Sequence, residues 1–130
     1  MRHKVIAGNW KMHKNAQETV AFLNDLVNNM PTGKEVEVMV APAFTNLMLA
    51  TQILEDTNIT VAAQNMHQAE GGAFTGEISA DMLKSVGVET VILGHSERRQ
   101  YFKETASSLA NKVDTALRHK MRVIFCVGEE

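Results

Sequence analysis

An α/β fold built on a parallel sheet is the class this sequence predicts, and three observations predict it. Short, β-rich apolar runs alternate with helically patterned stretches at regular spacing. Four of the five runs carry Val, Ile and Ala on both parities, the pattern of strands covered on both faces. Polar residues able to do chemistry recur where the runs end, which is where parallel sheets gather ligands.

The first strand is 4-KVIAG-8. Asn15, with Glu18 three residues on, reads as a capping box. It opens a helix whose Val20, Leu23, Val27 and Met30 share a face, with Pro31 and Gly33 ending it. The second strand, 36-VEVMVAP-42, alone shows a period-two tendency, with Glu35 and Glu37 on one parity. A helix over 45–55 follows, with Leu47, Leu49, Ile53 and Leu54 apolar, and then the third strand, 59-ITVAAQ-64. The stretch 65–79 has no periodicity, and a compact domain rarely keeps so long a loop idle, so it reads as functional or as an interface.

Ser79 caps a short helix with Asp81 in its first turn and Gly87 just past its end. The fourth strand is 90-TVILGH-95, followed by charged residues that read as the first turn of a short helix. The last helix runs from about Thr105 to Lys120 and buries Leu109, Val113, Ala116 and Leu117, and 122-RVIFCVG-128 is the fifth strand. Four βα units and a fifth strand imply parallel pairing through crossover connections.

Composition narrows the function classes. At 130 residues and 45% hydrophobic, the chain can bury one core. Thirteen basic against fifteen acidic residues give a net charge of −2 with no basic block, which argues against nucleic acid and anionic membrane as partners. No apolar run approaches the ~20 residues that span a bilayer, and 1-MRHKVIAG-8 lacks a secretory cleavage pattern. Cys126 stands alone and forms no internal disulfide, so a reducing, cytoplasmic home is expected.

The strand ends carry 8-GNWKM-12, 64-QN-65, 94-GHSERR-99 and 126-CVGEE-130, all expected on one rim. Lys11 offers a mobile positive charge for a phosphate or a developing oxyanion, or is a surface lysine. Asn9 can donate to a substrate oxygen or hold the turn, and Trp10 reads as packing. His95, held against helix N–H groups, would have its cationic form disfavoured and act as a neutral donor to a carbonyl. Glu97 either orients Lys11 or relays a proton, or is a helix-start carboxylate favoured by the helix dipole. Arg98 and Arg99 read as ion-pair and interface residues, Cys126 as a small buried hydrophobe, and Glu129 as a support for the rim backbone. His3, His13, His67 and His119 have no metal-ligand spacing, so no metal is expected. Gly71, Gly72 and Gly76 allow unusual backbone angles in the long loop, without a phosphate-loop or dinucleotide fingerprint.

Three segments, 7-AGNWKM-12, 72-GAFTGEIS-79 and 94-GHSERR-99, with the endings 64-QN-65 and 126-CVGE-129, resemble the triosephosphate isomerase family in order and interval along the whole chain. The resemblance implies a (β/α)8 TIM barrel that interconverts dihydroxyacetone phosphate and glyceraldehyde 3-phosphate without a cofactor. It implies that Asn9 and Lys11 bind substrate and that Lys11 also offsets phosphate and enediolate charge. His95 would polarise the carbonyl and shuttle protons, with Glu97 supporting Lys11. Thr75 would reach a partner subunit in a homodimer built through the 65–79 loop, touching the partner's Asn9 and Glu97, and Glu77 would pair with the partner's Arg98. That family is itself the reference case for a neutral histidine beside a helix N-terminus, so this logic is inherited.

A complete barrel needs about 250 residues. The expectation is therefore that residues 1–130 form the N-terminal portion of one barrel domain, truncated after strand five. The general-base glutamate, the lid and the last phosphate loops then lie outside the chain, which alone should have no appreciable isomerase activity. Strands one and five should be bare edges. A catalytically silent interaction module that keeps the dimer loop is the alternative; the three matched segments argue against an unrelated phosphosugar-binding barrel.

Overall fold

The computed structural model describes residues 2–30, 33 and 35–128. Five strands, β1 (Lys4–Asn9), β2 (Val36–Ala41), β3 (Ile59–Ala63), β4 (Thr90–Leu93) and β5 (Arg122–Phe125), form one sheet in the order β1-β2-β3-β4-β5. Every pairing is parallel, from Lys4↔Val36 at one edge to Leu93↔Phe125 at the other. Five helices fill the crossovers: α1 (Ala16–Asn29), α2 (Leu47–Ile53), α3 (Ala80–Ser85), α4 (Ser96–Tyr101) and α5 (Ala106–Arg118), with a 3₁₀ turn at Phe44–Asn46 leading into α2.

Local chemistry sets these boundaries. Asn15 accepts from the Glu18 N–H while Glu18 reaches back to the Asn15 N–H, so the expected capping box starts α1. Ser79 accepts from the Met82 N–H at 3.2 Å and starts α3. Thr105 and Ser108 form a second capping box at α5. Pro31, expected to end α1, and Glu129 lie outside the described residues.

Side chains of alternate parity divide between two cores. Val40, Val61, Ala63, Val91 and Leu93 pack outward against Leu23, Leu47, Leu83 and Ala116 of the helices. Met39, Ala41, Ala62 and Ile92 face the other way, with Val5 and Ile124 packed against them. On that second face Arg122 of β5 donates to both carboxylate oxygens of Glu37 on β2, at 2.9 and 2.6 Å. Three strand spacings would hold these backbones roughly 14 Å apart in a flat sheet, so the contact reports a sheet curled around its inner face as half a barrel.

Several expectations are corrected. β1 and β5 are largely accessible rather than covered on both faces, because they are the sheet's edges. β2 does not alternate; its carboxyl half is buried on both faces between the two cores. β4 stops at Leu93 and β5 at Phe125, so Gly94, His95 and Cys126 sit in loops, and Cys126 is only half-buried. Leu117 is exposed at 58%, and the α5 position facing inward is instead Lys112, at 6%. Val27 is also exposed; the α1 stripe runs through Thr19, Leu23 and Leu26. Gly72 and Gly76 adopt positive φ (120° and 91°), whereas Gly71 does not.

Candidate active site

β1 delivers Asn9 and Lys11 to the carboxyl rim. Asn9 Oδ1 accepts the Lys11 N–H at 2.9 Å, and Lys11 takes a left-handed φ of 55°, which turns its side chain out of the strand direction. A non-glycine residue in that region costs about 1–3 kcal/mol, which surrounding contacts must offset. Gln64, at the end of β3, does so: its amide donates to the Lys11 carbonyl at 2.9 Å and to the Ala41 carbonyl at 2.8 Å.

β4 is followed by Gly94, whose φ of 75° swings the chain into α4. His95 takes the N-cap position, and its Nδ1 accepts the Glu97 N–H at 3.1 Å. A neutral imidazole with Nδ1 as acceptor carries its proton on Nε2, which makes that nitrogen the ring's donor. Glu97 then reaches Lys11: Lys11 Nζ lies 2.6 Å from Glu97 Oε1, and His95 Nδ1 lies 3.6 Å from Glu97 Oε2. The hydrogen bond from Lys11 is the main cause that holds the Glu97 carboxyl below the usual carboxylate range, with the Lys11 charge adding to it against a desolvation that opposes it.

Asn9, Lys11, His95 and Glu97, separated by up to 88 positions (97 minus 9), are thus brought into one contact chain. Thr75 and Glu77 are not part of it; both are exposed on the loop between β3 and α3. Arg98 is half-buried and donates through Nε to Glu104 at 3.4 Å, with its guanidinium 4.7 Å from the Phe102 ring centroid. Arg99, expected in an ion pair, forms none among the described residues. It donates instead to the Gly94 and Cys126 carbonyls, at 2.8 and 2.9 Å, and so pins the turn that carries His95. Burial raises the Cys126 thiol above its ordinary range, with the Arg99 charge opposing.

Sequence reasoning missed four supports. Gln64 was on the rim but unassigned, and Asn46 fell inside the helix expected over 45–55 and gave no signal of its own. Lys112 donates to Asn65 Oδ1 at 2.9 Å and pairs with Glu104, whose other oxygen, Oε1, is buried without a hydrogen-bond partner. A lysine between Leu109 and Ala116 at helical spacing was the available signal for that inward cation. Lys112, together with Thr115 donating to the Gln68 carbonyl at 2.7 Å, ties the start of the long loop to α5.

The sequence model of the triosephosphate isomerase family matches residues 4–130. Triosephosphate isomerase from Flavobacterium psychrophilum is 62% identical over 130 residues, covering all of this chain and 52% of that protein. The enzyme from Flavobacterium johnsoniae is 63% identical over 130 residues, again all of this chain and 52% of the relative. That from Caldanaerobacter subterraneus is 50% identical over 129 residues, 99% of this chain and 52% of the relative. The chain spans about half the length of the curated relatives it matches.

Proposed function

Because the chain belongs to the triosephosphate isomerase family, we propose that it supplies the substrate-holding and electrophilic side of an isomerase active site. The reaction interconverts dihydroxyacetone phosphate and glyceraldehyde 3-phosphate through an enediolate. The observation that carries this reading is the Lys11–Glu97–His95 contact chain on the carboxyl rim. Lys11 places a cation where phosphate and enediolate charge gather, and Asn9 donates to a substrate oxygen. The His95 Nε2–H polarises the carbonyl and passes a proton between the two carbinol oxygens. Glu97 holds the Lys11 ammonium in place. The base that removes the carbon-bound proton is assigned to the part of the relatives' length this chain does not span.

Thr75, Glu77 and Arg98 are assigned to a homodimer contact through the exposed 65–79 loop. Arg98 meets Glu104 through Nε, which leaves its outer guanidinium edge to face Glu77 of a second copy. No helix among the described residues is long and apolar enough to cross a membrane; a cytoplasmic, glycolytic setting is part of the proposal.

The test joins residues 1–130 to the remaining segment of the F. psychrophilum relative. The joined protein should isomerise glyceraldehyde 3-phosphate in a coupled assay, and the 130-residue chain alone should not. A folded, dimeric joined protein without turnover would overturn the enzyme reading in favour of a silent interaction module.

A further inference from the structure

We propose that Lys14 is a positioning residue for Lys11, its ammonium seated over the rings of Trp10 and Phe22 so that the turn between β1 and α1 holds Lys11 at the rim. The inference rests on the reading of that rim as a triose phosphate site.

The turn contains two non-glycine residues in left-handed backbone, Lys11 at φ 55° and Lys14 at φ 73°. L-residues avoid this region, because Cβ crowds the carbonyl that follows. Two such residues three positions apart persist only where contacts over-determine the path. At the Lys11 end those contacts are the Asn9 and Gln64 hydrogen bonds. At the Lys14 end, Asn46 Nδ2 donates to the Lys14 carbonyl at 2.9 Å, from a side chain that is itself buried.

The Lys14 side chain supplies the remaining contact. Its Nζ lies 4.6 Å from the Phe22 centroid and 5.5 Å from that of Trp10, both within cation–π reach. The two rings meet edge to face at 5.3 Å and 83°. Among the described residues Lys14 forms no ion pair, so the rings are what hold its charge. Trp10 is a fixed base: it is 9% exposed, belongs to the outer core and donates its backbone N–H to the Ala41 carbonyl at 3.1 Å. Trp10 is also the residue before Lys11. A cation resting on the Trp10 ring therefore closes the turn onto the neighbour of the functional lysine and couples Lys11 to α1 through Phe22.

The joined protein described above provides the test. Lys14→Met keeps the stem and removes the charge. It should lower kcat/KM and speed amide exchange at Lys11, each by about tenfold, the scale of a partly desolvated cation–π contact. Lys14→Arg restores a cation over the rings and should recover both. Lys14→Gly relaxes the left-handed backbone without the cation and should behave like Lys14→Met. Phe22→Leu, at a 41% exposed position, removes one ring and should give a partial loss, and it decides the matter if Lys14→Met does not fold. The proposal is overturned if Lys14→Met, or Phe22→Leu in its place, keeps both native kcat/KM and native Lys11 exchange, or loses only melting temperature. If the joined protein has no isomerase activity with Lys14 in place, the function reading fails, and Lys11 exchange alone still decides the positioning role.

Discussion

At the amino-terminal end of the sheet Arg122 donates to both oxygens of Glu37, and at the carboxyl end Lys11 meets one oxygen of Glu97. The first carboxylate is further engaged by Thr60 at 3.3 Å and His3 at 3.4 Å, and its side chain is 16% exposed. The second is 42% exposed, and the lysine it meets is 49% exposed. The Glu37 group sits on regular strands, with its acceptors consumed by neighbours across the curl. The Glu97 group sits on a left-handed residue, a positive-φ glycine and a helix cap, and both members of its ion pair stay close to half exposed. Saturated charge stabilises a curved sheet. In the proposed function the exposed pair is the one that binds, and strained backbone is tolerated where it places that pair.

The largest expected effect breaks the carboxyl end. In the joined protein, Lys11→Met should cost about 10²–10³-fold in kcat/KM, the scale of losing one donor to a developing oxyanion. Its melting temperature should hold, since the left-handed residue is retained by Asn9 and Gln64. A small kinetic loss would mean that the two ends do not differ in kind.

Glu37→Gln should do the opposite, leaving kcat/KM intact while lowering stability by about 1–2 kcal/mol. That is less than a fully buried pair would cost, because Arg122 is 43% exposed. Replacing both partners with leucine should recover much of the loss, since no charge is then left unpaired. Denaturant unfolding of the three proteins checks this, and unchanged stability in Glu37→Gln would remove the structural role assigned to that end.

A third prediction concerns pH. Glu97 has its folded pKa lowered by Lys11, so the stability its pairing contributes is present above the unfolded value and is lost as pH falls through the depressed folded value. Carboxyl carbon chemical shifts should show Glu97 titrating at lower pH in the parent than in Lys11→Met. Coincident titrations would show that the 2.6 Å pair does not govern the carboxylate. The smallest effect is at Cys126, where burial raises the thiol pKa. Its alkylation at pH 8 should be slower than that of a free cysteine, rising only above the ordinary thiol range.

Much of the candidate site was legible because its signals are local. Asn9 and Lys11 follow a β-rich run by a few residues, and His95 and Glu97 flank a helix start, so the parallel-sheet rule puts both pairs on one rim. Gln64 and Asn46 were not assignable, because each acts on a carbonyl 53 or 32 positions away and amide side chains carry no periodic signature. Leu117 misled because apolar spacing marks a helix face without saying where other elements end to cover it, and Lys112 was passed over for the same reason.

The amino-acid sequence by itself determined the alternation of strands and helices, the caps at Asn15 and Ser79, and the rim on which the polar residues collect. Each of these depends on neighbours within a turn or a pleat. Tertiary structure decided the rest. It made edges of β1 and β5, brought Glu37 to Arg122 across 85 positions, turned Lys112 inward and aimed Lys11 at Glu97. Those contacts depend on the curl of the sheet and on two left-handed residues in one turn, which are set by the sum of packing around them and not by any short stretch of chain.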